Sequence, residues 1–159
     1  MFPTRVFIHG LESTSHGTKG EFFRNNFPDM LLEDFIGPLE QRMAKLNRLL
    51  EGKADLVLVG SSYGGLMAAI YACRNPGTVR KLILLAPALE LVDFQPYLTH
   101  RVEIPTVLYH GRLDDVVLPE AVQIIARKIF SNLDYHAVDD DHSLHHTFSG
   151  MAWDDLLHR

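Results

Sequence analysis

Short apolar runs recur along the chain at residues 5–8, 30–35, 55–59, 81–85, 106–109 and 133–138, and longer stretches with helical spacing lie between them. That alternation predicts parallel strands joined by helices, because neighbouring parallel strands need a long crossover rather than a tight turn. Four of the runs are apolar enough to lie centrally, and 30–35 is the weakest. Between them, 39–50 carries Leu39, Met43, Leu46, Leu49 and Leu50 on one face, and 66–73 and 120–130 read as further helices. The only sizeable irregular connection runs over 86–104, where Leu89, Leu91, Val92, Phe94, Tyr97 and Leu98 suggest an apolar flap.

The chain's 159 residues, 47% of them hydrophobic, fill one core, so a single domain over 1–159 is expected. A formal net charge of -5, with lysines and arginines scattered, gives a nucleic-acid surface no electrostatic support and favours small-molecule partners. Cys73 is the only cysteine, which excludes an internal disulfide and a thiolate metal cluster; a buried small side chain is its ordinary reading. The opening MFPTRVFIHG lacks a basic start before a long apolar stretch, and no apolar run approaches the ~18 residues of a membrane span. A cytoplasmic protein is the expectation.

The run VLVGSSYGGL, residues 57–66, places glycine and serine where a buried strand ends and a helix begins, the edge at which open α/β sheets build their sites. Its glycines do not fit G-x-G-x-x-G and no lysine follows them, and HGLESTSHGTKG at 9–20 misses the phosphate-loop spacing, so nucleotide binding is poorly supported. What fits is G-x-S-x-G, Gly60 to Gly64, with Ser62 at the tip of a turn whose neighbours must be small for strand and helix to meet. A serine capping the next helix is the plainer alternative.

A serine hydroxyl needs a base to take its proton and a carboxylate to orient that base. After the run at 106–109, HGRLDDVVLP brings Asp114 and Asp115 just beyond a strand end; after the last run, AVDDDHSLHH brings His142. Asp139, Asp140 and Asp141 are nearer in sequence, yet adjacency along a loop seldom aims a carboxylate at the far ring nitrogen, so they read as loop and solvation residues.

With FIHG after the first strand, GSSYGG at the turn, HGRLDDVV and DDHSL in that order, the sequence resembles the α/β-hydrolase superfamily from Val6 to His146. Its compact size resembles the small bacterial esterases of the YqiA-like type. The resemblance implies an α/β three-layer sandwich with a mostly parallel sheet of about six strands, entered at the superfamily's third strand, and a minimal lid. It implies Ser62 as nucleophile, His142 as base and Asp114 as orienting acid, since the family places the acid in G-x-x-D; Asp115 is the alternative. It also implies an oxyanion hole from the backbone amides of Tyr63 and Leu11, or of Glu12 if the loop is shifted by one. The implied activity is hydrolysis of a small-molecule acyl ester without a cofactor, with thioesterase, amidase or a non-catalytic binding protein as alternatives.

Nine histidines invite a metal reading, above all His142, His145 and His146 beside three carboxylates, but H-E-x-x-H is absent and such a site would compete for the base. His9, His16 and His110 read as structural or loop groups, His9 lying beside the oxyanion loop, and Lys19 and Glu12 as substrate-touching or merely solvated.

Overall fold

A computed structural model describes residues 3–158; Met1, Phe2 and Arg159, the extremes of the expected 1–159 span, lie outside the described residues. The strands are β1 (Thr4–Ile8), β2 (Leu31–Leu32), β3 (Leu56–Ser61), β4 (Val79–Leu85), β5 (Thr106–Gly111) and β6 (Leu133–Val138). The helices are α1 (Thr18–Asn26), α2 (Leu39–Leu50), α3 (Tyr63–Arg74), α4 (Pro119–Ile129) and α5 (Trp153–His158). All six strands pair in parallel, in the order β2-β1-β3-β4-β5-β6.

Side chains alternate across the central strands and feed two cores. Leu56 and Leu58 of β3 and Leu82 and Leu84 of β4 join a cluster with Met43 and Leu46 of α2, much of α3, and Val122, Ala126 and Ile129 of α4. Val57, Val59, Ile83 and Leu85 face the other way, onto Phe23 of α1 and Trp153 and Leu157 of α5. Helices thus cover both faces, giving three layers. α3 is the central one: every residue from Gly64 to Cys73 is buried, as a helix apolar on all sides must be.

The register aligns the carboxyl ends of the strands. Ile8 pairs with Gly60, Ser61 with Leu85, Leu85 with Tyr109, and Gly111 with Val138, so the loops after β1, β3, β5 and β6 leave from one edge. Among the described residues, no helix is long and apolar enough to cross a membrane.

Several expected boundaries move. The run at 30–35 forms only the two-residue β2, at the sheet edge, where Leu31 and Leu32 alone pair with Val6 and Phe7 of β1. α3 starts at Tyr63 rather than at residue 66, because Gly64 and Gly65 lie inside its first turn. The connection over 86–104 is not irregular throughout: a 3-10 helix spans Val92–Tyr97, with Phe94 fully buried and stacked on Tyr97 at 5.6 Å. α1 and α5 were not expected at all. They meet through Phe23, Phe148 and Trp153, whose near-perpendicular rings lie 4.9 to 5.5 Å apart in the Phe23 contacts, a geometry aromatic quadrupoles favour.

Gly64 decides how closely α3 approaches the sheet. A Cβ there would stand 2.0 Å from the Ile8 carbonyl oxygen of β1, a backbone atom that cannot turn aside. Gly77, by contrast, has nothing within 4 Å of such an atom. Gly64→Ala is expected to lower the unfolding free energy by about 3 kcal/mol or more, and Gly77→Ala to change it by less than about 1 kcal/mol. Paired denaturant titrations measure both, and equal midpoints would refute this account of the packing.

Candidate active site

The turn from β3 into α3 holds Ser62 in an unusual backbone conformation, φ 56° and ψ -114°, in the region where non-glycine residues are strained by about 1–3 kcal/mol. Hydrogen bonds on both sides hold it there. The Ser62 N–H donates to the Leu85 carbonyl at 2.9 Å, and the Ser62 carbonyl accepts the Ala88 N–H at 3.0 Å. The hydroxyl makes no helix-capping bond. It lies instead 3.0 Å from His142 Nε2.

Nδ1 of the same ring lies 2.7 Å from Asp114 Oδ2. The loops after β3, β5 and β6 therefore place a hydroxyl, an imidazole and a carboxylate in one continuous chain of contacts, with Nε2 free to accept from Ser62 when Nδ1 carries the proton. Asp114 is buried, whereas Asp115 is exposed. Asp114 Oδ1 accepts the Val116 and Val117 N–H groups at 2.9 and 2.8 Å. Its Oδ2 also receives His110 Nε2 at 3.1 Å. Glu90, on the segment after β4, has its carboxyl raised above the usual range by burial and by the neighbouring Asp114 charge.

Asp140, read from the sequence as a solvation residue, is instead 2% exposed and central to the histidine loop. Its Oδ2 accepts the His146 N–H at 2.9 Å, the Thr147 N–H at 2.8 Å and the Thr147 hydroxyl at 2.7 Å, while Oδ1 accepts the Asp141 N–H at 2.8 Å. Burial alone would raise its pKa, but these donors outweigh it and bring the carboxyl down to about 2. Asp139 is exposed and pairs with Arg112 at 2.6 Å. Lys19, in the first turn of α1, donates to the carbonyl of Ser143, the residue after His142, at 2.7 Å; burial holds its amine below the usual range. His145 and His146 stack edge to face at 5.6 Å, and among the described residues no group of three His, Cys, Asp or Glu is placed to hold a metal ion.

Beside Ser62, the loop after β1 approaches closely: a Cβ at Gly10 would lie 3.4 Å from Ser62 Cβ. His9 braces this loop. Its Nδ1 donates to the Gly10 carbonyl at 2.7 Å, and its Nε2 accepts the Phe35 N–H at 2.9 Å. That pattern fixes one neutral tautomer, and burial lowers the imidazole below its ordinary range. The Gly10 carbonyl belongs to the peptide that carries the Leu11 N–H, so the His9 bond sets that amide's direction. The Tyr63 N–H opens α3, where first-turn amides have no partner within the helix. Glu12, the alternative donor, lies on the same exposed loop. His16 is exposed, 3.1 Å from Glu21. Two surface hollows of about 600 Å³, one around Leu50, Tyr71 and Arg74 and one around Phe22, Met151 and Trp153, are lined by none of these site residues.

Residues 9–99 match the model of the family described as serine aminopeptidase, S33; this span contains Leu11, Ser62 and Tyr63 and ends before Asp114 and His142. No curated protein matches the sequence. Among solved structures, the chain is similar to Est1E from Butyrivibrio proteoclasticus, with TM-score 0.81, 15% identity, and 98% of this chain and 85% of that one covered. It is similar to an esterase from Exiguobacterium antarcticum, with TM-score 0.81, 14% identity, and coverage of 97% and 91%. Alpha/beta hydrolase domain-containing protein 10 from mouse aligns with TM-score 0.73 and 19% identity, covering 91% of this chain and 83% of that one. At these identities the likeness is one of fold.

The depressed Asp140 carboxyl has a pH signature. A carboxyl whose folded value lies below its unfolded one stabilises fully above about pH 4, and that contribution, about 2 kcal/mol, is lost as pH falls towards about 2. The stability difference between the natural chain and Asp140→Asn is therefore expected to be constant above pH 4 and to shrink below it. Urea unfolding between pH 2 and 6 measures it, and a pH-independent difference would exclude this role.

Proposed function

The chain belongs to the serine aminopeptidase S33 family, a branch of the α/β hydrolases, and from that premise we propose that it is a serine hydrolase cleaving small to medium carboxylic esters through an acyl-enzyme. The observation that carries this reading is the chain of contacts from Ser62 Oγ to His142 Nε2 at 3.0 Å and from His142 Nδ1 to Asp114 Oδ2 at 2.7 Å.

Ser62 Oγ attacks the acyl carbon while His142 Nε2 takes its proton; the imidazolium returns that proton to the leaving alcohol, and water repeats the sequence to release the acid. Asp114 holds the Nδ1–H tautomer and offsets the positive charge on the ring. The Tyr63 and Leu11 amides face the carbonyl oxygen as its negative charge develops, each such donor contributing roughly 3 kcal/mol to the transition state. The strained turn at Ser62 keeps the hydroxyl out of helix capping and available for attack.

The ester preference draws support from the likeness in fold to the esterase from Exiguobacterium antarcticum. The small-to-medium acyl range follows from the segment after β4, whose Leu89 and Phe94 are buried in the core rather than free to form a deep lid. The same groups serve thioesters and amides, so the leaving group is a matter for assay. Within the α/β hydrolases, this reading favours the YqiA-like type of small bacterial esterase.

A fluorophosphonate probe is expected to label Ser62, with Ser62→Ala abolishing labelling and lowering hydrolysis of p-nitrophenyl butyrate at least about a thousandfold. Folded protein that remains unlabelled would overturn the catalytic reading. Across p-nitrophenyl esters of rising acyl length, kcat/KM is expected to peak at short to medium chains; a maximum at long chains would reject the shallow acyl site.

A further inference from the structure

His110 is the penultimate residue of β5, its side chain wholly buried, and its interactions are not those of a core histidine. Nε2 lies 3.1 Å from Asp114 Oδ2 and 2.9 Å from the Val117 carbonyl oxygen. An ionised carboxylate and a carbonyl are both pure acceptors, so Nε2 must carry the hydrogen and share it between them. Nδ1 is then the bare nitrogen, and it is buried without a hydrogen-bond partner. Protonating it would leave a charged N–H facing no acceptor, which agrees with burial pushing this imidazole below its ordinary range. His110 is a neutral donor of fixed tautomer.

The two oxygens of Asp114 are thereby treated differently. Oδ1 is held by two backbone amides, and Oδ2 by two imidazoles, His142 at 2.7 Å and His110 at 3.1 Å. We propose that His110 is a positioning residue for the hydrolytic site, whose Nε2–H orients Asp114 Oδ2 towards His142 and, by sharing that oxygen, sets how readily His142 takes a proton. The inference rests on the triad reading above. Without His110, Oδ2 would bind the His142 Nδ1–H more strongly and favour the imidazolium, leaving less free base at low pH. The backbone bonds to Oδ1 would still anchor Asp114, so the loss is one of tuning more than of placement. The other ionisable group that faces Asp114 and His142 is Glu90, after β4; on the histidine loop, Asp140 and Asp141 face Lys19 of α1.

The test is the pH profile of kcat/KM for p-nitrophenyl butyrate, with the fold of each variant checked by circular dichroism. His110→Leu removes the donor, and His110→Asn carries an amide that stops a bond short of Asp114. Both are expected to move the acidic limb up by about half a unit to one unit, equivalent to a loss of about three- to tenfold on that limb, with the plateau within about threefold of the natural chain. His110→Gln, which can place an N–H near the Nε2 position, is expected to return the limb towards its natural midpoint. The same shift in a Glu90→Gln background excludes Glu90 as the titrating group. Nitrogen-15 NMR of the natural chain adds a readout that needs no variant: His110 is expected as the Nε2–H tautomer, without titration from pH 5 to 9. Unshifted limbs in Leu and Asn variants that fold, or a His110 ring that titrates in this range or carries its proton on Nδ1, would overturn the proposal. Failure of the triad reading is recognised separately, by absence of probe labelling at Ser62.

Discussion

The close contact of the β3–α3 turn with its neighbours is the constraint on which the rest of this site depends. Gly60 and Gly64 leave room for one another: a Cβ on Gly60 would stand 2.4 Å from the Gly64 carbonyl oxygen. With side chains excluded there, the backbone swings through Ser62 in a strained conformation that β4 and its following segment hold through the Leu85 carbonyl and the Ala88 amide. Because α3 is buried on every side, the strain is spread over a large apolar contact rather than borne by the turn alone. The hydroxyl is thus aimed by packing that begins several residues away.

The parallel register carries that local constraint to the other components. Strands whose carboxyl ends lie level release their loops at one edge, so the acid loop after β5 and the histidine loop after β6 need only short excursions to meet Ser62. Asp114 follows the end of β5 by three residues and His142 follows the end of β6 by four. Short loops carry little slack, and the contacts at 2.7 and 3.0 Å reflect this.

Those fixed offsets made much of the site legible in the sequence. A strand run, then glycine, then serine or aspartate at set spacing, reports a position at the edge of a parallel sheet, because chain direction and strand length determine where the next residue emerges. What remained hidden depends on contacts that no spacing encodes. α1 has the sequence TKGEFFRNN, with few apolar residues and a glycine inside it; Gly20 is there because a Cβ would stand 2.1 Å from the Ser15 carbonyl oxygen, a tertiary fact. α5 is six residues long, too short for a periodic signal. Asp140 looked like one of three solvated aspartates, and only the fold of its loop turns four donors onto it. A single histidine at a strand end, such as His110, carries no mark distinguishing a core side chain from a partner of the acid.

The loops after β5 and β6 also support one another, which explains how a carboxylate as buried as Asp114 is held in place. A Cβ at Gly111 would lie 2.3 Å from the Asp140 carbonyl oxygen, and that oxygen accepts the Leu113 N–H at 3.0 Å, so the start of the acid loop is seated against the histidine loop. The Arg112 N–H reaches the Val138 carbonyl at 2.8 Å, extending the β5–β6 ladder towards the site. A carboxylate as buried as Asp114 is costly unless its charge is met by donors, and here four are present, two from its own loop, one from His142 and one from the strand below. The donors that make the burial tolerable also fix which oxygen faces His142. Placement and charge compensation are therefore one structural solution, and altering either perturbs the other.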